Sequence, residues 1–184
     1  MRATEFAQAA VSRVLKPGDL AIDATAGNGH DTLFLCERVG PQGKIVAFDI
    51  QDEALTATRT RLAESGIGTG CFELVCASHE TMPAHAEHQT VAAIMFNLGY
   101  LPGGDKAIIT RTASTLAALE SALRLLHSGG VLTIVCYPGH EGGAVEAKAV
   151  SEWAEGLRER SEVQIHPQAR PDAPFAVIVE ASQR

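Results

Sequence analysis

A polar turn with two glycines is the part of this sequence best suited to bind a small molecule. It reads Asp23-Ala-Thr-Ala-Gly27-Asn28-Gly29-His30-Asp31 and lies where a short apolar run gives way to a helical pattern. In open α/β sheets, ligands bind outside the carboxyl ends of the strands, which is where this turn falls. Because Gly27 and Gly29 carry no side chain, a ligand can approach the backbone closely there. The turn therefore predicts a ligand site.

The charge of the turn indicates which kind of ligand it would accept. A dinucleotide fingerprint, G-x-G-x-x-G, would require a glycine at position 32, where the chain has Thr32. Asp23 and Asn28 suit a cationic ligand better than a pyrophosphate. S-adenosylmethionine has no phosphate and carries a sulfonium and an ammonium group. We therefore expect S-adenosylmethionine as the cofactor, with Asp23, Gly27, Asn28 and Gly29 at its site.

Two further segments extend this predicted site. The second strand ends at Asp49, in Ala47-Phe-Asp-Ile-Gln51, where a carboxylate can accept both ribose hydroxyls of a bound nucleoside. After the third strand, Ser78 and His79 lie where an adenine would sit in such a fold. Simpler interpretations remain open: Asp23 and Asp49 could merely cap turns and helices, and an isolated His79 is more often a surface turn residue.

The segment that ends the fourth strand suggests an acceptor site for a methyl group. Asn97-Leu-Gly-Tyr100 resembles the Asn-Pro-Pro-Tyr pattern of amino-group methyltransferases. The carbonyl of Asn97 can accept a hydrogen bond from an amine and orient its lone pair, and Tyr100 offers a face for base stacking. An aliphatic amine has a pKa near ~10.4, so it must lose a proton before it attacks. Desolvation and a nearby sulfonium would both lower that pKa, so no dedicated strong base is required. If a base exists, Asp105 and His140 are the candidates, with a plain loop acid and a turn histidine as the simpler interpretations.

Three residues near these segments are candidates for substrate contacts. The segment that begins at Tyr137 follows the fifth strand, so Tyr137 should lie on the ligand side of the sheet. Lys106 and Arg111 are cations close to the acceptor segment that could hold phosphates.

The elements that must position these residues alternate between short apolar runs and longer stretches of helical period, which is typical of β-α units around a mainly parallel sheet. The predicted strands are Asp19–Asp23, Lys44–Asp49, Cys71–Cys76, Val91–Asn97, Val131–Tyr137, Glu162–His166 and Phe175–Glu180. The predicted helices are Asp31–Val39, Asp52–Ser65, Thr110–Leu126 and Ala144–Glu159, after an opening helix near Thr4–Leu15.

The last two strands are separated only by a proline-rich turn from Pro167 to Pro174, so they should pair as an antiparallel hairpin. We therefore predict an α/β fold of the Rossmann-like class I methyltransferase type. It would have a seven-stranded, mostly parallel sheet with a C-terminal antiparallel hairpin and helices on both faces. At 184 residues, the chain is expected to form a single domain, 1–184.

Composition narrows the possible functions. The formal net charge of −7 gives no global attraction for a polyanion and argues against non-specific nucleic-acid binding. The four cysteines form no C-x-x-C pair, so neither a zinc site nor a disulfide framework is expected, and they should be mostly buried. No stretch approaches the ~20 apolar residues of a membrane span, and no signal peptide is evident. We expect a cytoplasmic protein with no membrane partner and no metal.

The chain also resembles a known family, the tRNA 5-aminomethyl-2-thiouridine methyltransferases, which are also called rRNA methylases. The resemblance covers nearly the whole chain, through Asp23–Thr32, Ala47–Gln51, Asn97–Lys106 and Tyr137–Gly143. It implies methylation of the aminomethyl group of a wobble uridine in the tRNA anticodon, S-adenosylmethionine as cofactor, and a homodimer. By the same resemblance, the cofactor contacts are Asn28, His30, Asp49, Gln51, Ser78 and His79.

Two other functions remain open at this point. The enzyme could methylate rRNA or a small amine, which assays on unmethylated RNAs would separate. Alternatively, the protein could sense S-adenosylmethionine without chemistry, in which case it would bind without turnover and would have no use for Asn97-Leu-Gly-Tyr100 beside the pocket.

Overall fold

A computed structural model describes residues 1–99, 111–139, 142–168 and 170–182 of the chain. The strands are β1 (Leu20–Asp23), β2 (Lys44–Asp49), β3 (Phe72–Cys76), β4 (Val91–Asn97), β5 (Leu126–Cys136), β6 (Glu162–Ile165) and β7 (Phe175–Glu180). The α-helices are α1 (Ala3–Val14), α2 (His30–Val39), α3 (Asp52–Glu64), α4 (Thr112–Leu125) and α5 (Gly143–Glu155). Short 3-10 helices occupy Thr69–Cys71 and His79–Ala84.

All seven strands form one sheet in the order β3-β2-β1-β4-β5-β7-β6. The pairs from β3 to β5 are parallel, and β7 is antiparallel to both β5 and β6. The predicted C-terminal hairpin is therefore confirmed, and β7 inserts between β5 and β6. The strand order reverses direction between β1 and β4, and this switch point is where open α/β sheets bind ligands.

Helices cover both faces of the sheet, as predicted. Strand β4 shows how the two faces separate, because Ile94 and Phe96 join one apolar cluster while Ala93 and Met95 join the other. The first cluster includes apolar residues of α4 and α5, and the second includes those of α1, α2 and α3. Burial of these side chains is the main stabilising term, since each large one contributes ~1.5–3 kcal/mol. The Rossmann-like class I fold is confirmed.

The start of β5 differs from the prediction. The strand begins at Leu126 rather than Val131, and its register with β4 shifts, because Leu126 pairs with Val91 whereas Val131 pairs with Ala93. Gly129 within this stretch has a φ of 78°, a conformation that residues with a side chain adopt at a cost. A Gly-Gly pair normally indicates a turn, so the sequence pattern places the strand start too late.

Three of the four cysteines are buried, as expected, whereas Cys76 is exposed at the end of β3. Within the described ranges, no helix is long and apolar enough to cross a membrane. The described residues also contain no group of three or more His, Cys, Asp or Glu side chains that could hold a metal ion.

Candidate active site

A cavity of about 740 Å³ lies at the carboxyl ends of the parallel strands. This volume is within the usual range for small-molecule sites. The predicted site residues that line the cavity are Gly27, Asn28, His30, Asp49, Ser78, His79, Asn97, Arg111 and Tyr137. Four other predicted residues, Tyr100, Asp105, Lys106 and His140, lie outside the described part of the chain.

Asp49 connects the glycine turn to the end of β2. Its Oδ2 accepts a hydrogen bond from the backbone N–H of Gly27 at 2.9 Å, and its Oδ1 accepts one from the N–H of Gln51 at 3.0 Å. Each carboxylate oxygen has a second lone pair, so the side chain can still accept hydrogen bonds from a ligand in the cavity. Gln51 is the N-cap of α3 and does not line the cavity.

Packing against α3, and not the approach of a ligand, requires a glycine at position 29. It is buried, does not line the cavity, and has a φ of 78°. A Cβ atom added there would lie 2.8 Å from Cα and 2.9 Å from Oγ1 of Thr58 in α3. The absence of a side chain at position 29 therefore allows α3 to pack against the turn.

Helix α3 holds the turn through two side chains that the sequence analysis did not identify. The hydroxyl of Thr58 donates to the carbonyl of Gly27 at 3.1 Å, and Nε of Arg61 donates to the carbonyl of Asn28 at 2.6 Å. Nη2 of Arg61 also lies 3.3 Å from Nε2 of His30. Two residues of one helix thus fix the backbone that faces the cavity.

Asp23 lies beneath the turn rather than in the cavity wall. It is 1% exposed, and its carboxylate accepts hydrogen bonds from Oγ1 of Thr32 at 2.6 Å and from the N–H of Thr25 at 3.1 Å. Burial, together with the nearby Asp31 carboxylate, raises the pKa of Asp23 to about 7. The position of Asp23 supports the turn, whereas direct contact with a ligand would require access that it lacks.

Ser78 and His79 line another part of the cavity wall. Ser78 caps the short helix His79–Ala84 by accepting from the N–H of Glu80 at 3.3 Å. His79 is 8% exposed, and its ring packs edge-on against Phe96 at 5.4 Å between centroids. Burial lowers the pKa of His79, with a hydrogen bond to the Ala24 backbone acting in the opposite direction, so the imidazole is neutral at physiological pH. The interpretation of His79 as a surface turn residue is wrong.

A hydrogen-bonded group of four side chains lies near the end of β4; Asn97, Asp31 and Tyr137 line the cavity and Gln8 does not. Nδ2 of Asn97 donates to Oδ2 of Asp31 at 3.2 Å, and Nε2 of Gln8 in α1 donates to Oδ1 of Asp31 at 2.9 Å. Tyr137 is hydrogen-bonded to the Asn97 side chain. The Asn97 backbone is fixed as well, because its N–H donates to Oγ1 of Thr25 at 2.7 Å. Asp31 and Gln8 were not predicted as site residues, although Asp31 closes the glycine motif.

Tyr137 is suited to donate a hydrogen bond rather than to act as a base. Burial is the largest cause that raises the pKa of its phenol, and the Asp31 carboxylate raises it further, while the hydrogen bond with Asn97 lowers it. The net direction is upward, so the hydroxyl group keeps its proton at neutral pH.

The rim of the cavity carries charge of both signs. Arg111 is exposed, precedes α4, and lines the opening. Asp172, from the segment between β6 and β7, also lines it, and its Oδ1 lies 2.9 Å from Nε of Arg170. No residue of this segment was predicted as a site residue, because nothing in its composition indicates which of its side chains returns to the cavity.

Comparison with known proteins identifies the family. The sequence profile of the family described as "Putative rRNA methylase" matches residues 45–180. The chain belongs to the rRNA methylase family. A crystal structure of a "putative rRNA-methylase" from Clostridium thermocellum superposes with a TM-score of 0.92 at 36% identity, over 98% of this chain and 97% of that one.

Two other relatives are informative. A putative methyltransferase from Streptococcus mutans, solved "in complex with SAH", has a TM-score of 0.86 and 34% identity, over 98% of each chain. A protein of Arabidopsis thaliana named "tRNA (mnm(5)s(2)U34)-methyltransferase, chloroplastic" is 40% identical over 165 residues, or 85% of this chain. The chain spans 60% of the length of that plant protein.

Membership of this family confirms the predictions of a methyltransferase enzyme and of S-adenosylmethionine as its cofactor. The cavity fits this cofactor on its own chemistry. The turn presents the backbone of Gly27 without a side chain, the Asp49 carboxylate faces the nucleoside position, and Nε2 of His79 is buried without a partner among the described residues. No lysine or arginine of the glycine turn itself is available to hold a pyrophosphate.

Proposed function

We propose that the chain is an N-methyltransferase that acts on the aminomethyl group of 5-aminomethyl-2-thiouridine at the wobble position of tRNA. The product would be 5-methylaminomethyl-2-thiouridine. One observation carries the proposal: a single cavity joins the Gly27–Asp49 cofactor half to an acceptor half built from Asn97, Asp31 and Tyr137. The name of the plant relative supports the choice of acceptor.

In the cofactor half, the glycine turn and Asp49 would bind the nucleoside and amino-acid parts of S-adenosylmethionine. Gly27, Asn28, His30 and Asp49 would contact it from the turn and β2, and Ser78 and His79 from the adenine side. The cofactor supplies an electrophilic methyl group. Arg61 and Thr58 would contribute by holding the turn in its binding conformation.

In the acceptor half, the end of β4 would orient the amine. The N–H groups of Asn97 and Leu98 donate to Thr25 Oγ1 at 2.7 Å and to the Val135 carbonyl at 2.9 Å, which fixes this end of the strand. Asn97 can therefore hold an amine nitrogen with its lone pair aimed toward the cofactor half. Holding reactants in such a geometry contributes several kcal/mol to catalysis, up to about 11 in well-oriented systems. Tyr137, as a protonated phenol, can donate a hydrogen bond to the base or its side group.

Recognition of tRNA would rest on one extruded base rather than on a large basic surface. The net charge of −7 argues against a broad phosphate-binding face. Among the residues that the structure describes, Arg111 is the Lys or Arg that lines the cavity. Specific RNA recognition often uses unstacked bases of loops, which a cavity can enclose. The anticodon loop offers such a base. A homodimer and a cytoplasmic location remain predictions.

Methylation assays with defined RNAs test the proposal. Purified protein is incubated with S-adenosylmethionine and tRNA from cells that lack the final methyl group, and nucleosides are then measured by mass spectrometry. We expect loss of 5-aminomethyl-2-thiouridine and gain of its methylamino form. Methyl transfer to ribosomal RNA alone, which the family description names, would replace the proposed substrate.

A further inference from the structure

Asp31 is a buried carboxylate at the acceptor end of the cavity. It is 8% exposed, yet it lines the cavity, and its two oxygens accept hydrogen bonds from two neutral carboxamides, those of Gln8 and Asn97. The titratable groups near it in the folded core, Asp23 and Tyr137, are both acids and cannot supply a positive charge. Among the described residues, no lysine or arginine forms an ion pair with it.

A buried charge with only neutral partners is costly unless a ligand compensates it. Removing a carboxylate from water costs several kcal/mol, of which hydrogen bonds recover only a part. The open side of Asp31 faces the same cavity as Asn97, which the proposed function places at the acceptor nitrogen. The ligand group best suited to this position is therefore a cation with N–H donors.

We propose that Asp31 is a catalytic residue that receives the acceptor amine in its ammonium form and takes one proton from it, and that Gln8 is the residue that positions Asp31. This inference rests on the proposed function, because it concerns the amine that is methylated. It adds a specificity rule, since a cavity of this kind selects a primary aliphatic ammonium over a neutral ring nitrogen.

Proton transfer precedes methyl transfer. An N–H bond of the ammonium breaks and its proton passes to Asp31, which becomes a neutral carboxylic acid. The freed lone pair of the nitrogen then forms the new N–C bond while the C–S bond breaks and its electrons stay on sulfur. The product is a secondary ammonium, the positive charge leaves sulfur, and Asp31 returns its proton to solvent through the open cavity.

The acidity of the substrate determines how much a proton acceptor can raise the rate. With a pKa near ~10.4, an aliphatic amine is neutral in only about one molecule in a thousand at pH 7.4. An enzyme that bound only this neutral fraction would be up to about a thousandfold slower than one that deprotonates the bound ammonium. A general base contributes ~10²–10⁴-fold, which covers the same range.

The test compares Asp31→Asn with the parent enzyme on tRNA that carries 5-aminomethyl-2-thiouridine, over pH 7 to 9. Asparagine keeps the shape and removes the charge, and the carboxamide of Gln8 can rotate to match it. We expect kcat/KM at pH 7 to fall by about a hundredfold or more, and to rise about tenfold per pH unit in the variant, because the variant uses the neutral amine. The parent should change far less over this range.

Asp52→Asn is the matched control, because Asp52 is also an acidic residue in the first turn of a helix but is exposed and outside the cavity. It should leave both rate and pH profile unchanged. Calorimetry with S-adenosylhomocysteine, which keeps the ammonium of the cofactor, gives the second measurement. Asp31→Asn should change the Kd for S-adenosylhomocysteine by less than about threefold.

Two outcomes overturn the inference while the proposed function stands. If Asp31→Asn has the same pH profile of kcat/KM as the parent, Asp31 is not the proton acceptor. A Kd for S-adenosylhomocysteine raised tenfold or more, with kcat unchanged at saturating cofactor, would assign Asp31 to the ammonium of the cofactor. If the parent enzyme fails to methylate the aminomethyl nucleoside, the proposed function is wrong and the inference is lost with it.

Gln8→Glu tests the positioning role without relying on Asp31 variants. It places a second carboxylate where Nε2 now lies 2.9 Å from Oδ1 of Asp31. Like charges at this separation raise the pKa of one partner. We therefore expect the acid limb of the pH profile, which is the fall of kcat/KM at low pH, to begin about one pH unit or more higher than in the parent. A merely structural role for Gln8 would lower stability without this movement, and an acid limb at the parent position would overturn the coupling.

Discussion

Substituting Gly29 with alanine tests how closely α3 must approach the glycine turn. The φ of 78° at Gly29 is unfavourable for alanine by ~1–2 kcal/mol. In addition, the new Cβ would lie 2.8 Å from Cα of Thr58, a backbone atom, whereas ordinary contacts lie at 3.4–4 Å. Separating the two segments by roughly half an ångström should cost a further ~1–3 kcal/mol, as overpacking does in cores. The total loss should be ~2–5 kcal/mol.

Gly129→Ala is the matched control, because Gly129 has the same φ of 78° but nothing within 4 Å of an added Cβ. It should lose only the ~1–2 kcal/mol of the backbone term. Urea unfolding measures both free energies, and unchanged m-values would show that the unfolded states are comparable. Calorimetry should show weaker S-adenosylhomocysteine binding for Gly29→Ala alone, since the displaced Thr58 holds the carbonyl of Gly27. Equal losses of stability in the two variants would refute the packing argument.

The remaining predictions concern the cofactor, the acceptor and pH. The protein should bind S-adenosylmethionine with a Kd in the micromolar range or tighter, and NAD much more weakly, as measured by calorimetry; tight NAD binding alone would contradict the interpretation of the turn. Asp49→Ala should raise the cofactor Kd at least about tenfold, since charge-assisted hydrogen bonds contribute ~1.5–3 kcal/mol, and an unchanged Kd would leave Asp49 as a turn residue only. Asn97→Ala should lower kcat by roughly a hundredfold with a much smaller change in cofactor Kd, whereas lost binding with intact kcat would move Asn97 to the cofactor half. Because the folded-state pKa of Asp23 is raised to about 7 from 3.8, its carboxyl favours folding at low pH and this contribution is lost as pH rises from about 4 to 7. Asp23→Asn should therefore gain stability relative to the parent between pH 5 and pH 8 in urea titrations, and a constant difference would refute this linkage.

The sequence predicts the strands well because burial on both faces leaves a clear pattern. Strand β4 is apolar from Val91 to Phe96, as expected for a central parallel strand, and its predicted bounds match the structure. The prediction is less accurate where local signals conflict with tertiary contacts. At Gly129 and Gly130, the glycines indicate a turn, but pairing with Ala181 extends β5 through them.

Some site residues can likewise be predicted from the sequence, and others cannot. Asp49 and Asn97 lie at strand ends, so the edge of the sheet at which they meet follows from topology alone. Asp23 has the same sequence signature as Asp49, yet it is buried under the turn, because its carboxylate is directed to Thr32 in α2. Gln8 is the reverse case. Nothing in the pattern of an opening helix indicates that one carboxamide reaches Asp31, which lines the cavity.

The contact between Gln8 and Asp31 has a consequence for how the enzyme becomes active as it folds. Helix α1 packs against β5 and β7, and Arg13 in α1 forms an ion pair with Glu180 in β7 at 3.2 Å. Helix α1 is thus held in place by strands that lie far from it in the sequence. Contacts of such high sequence separation form slowly, because loop-closure entropy must be overcome first. We therefore expect the contact between Gln8 and Asp31, which depends on the docking of α1 on β5 and β7, to form late in folding.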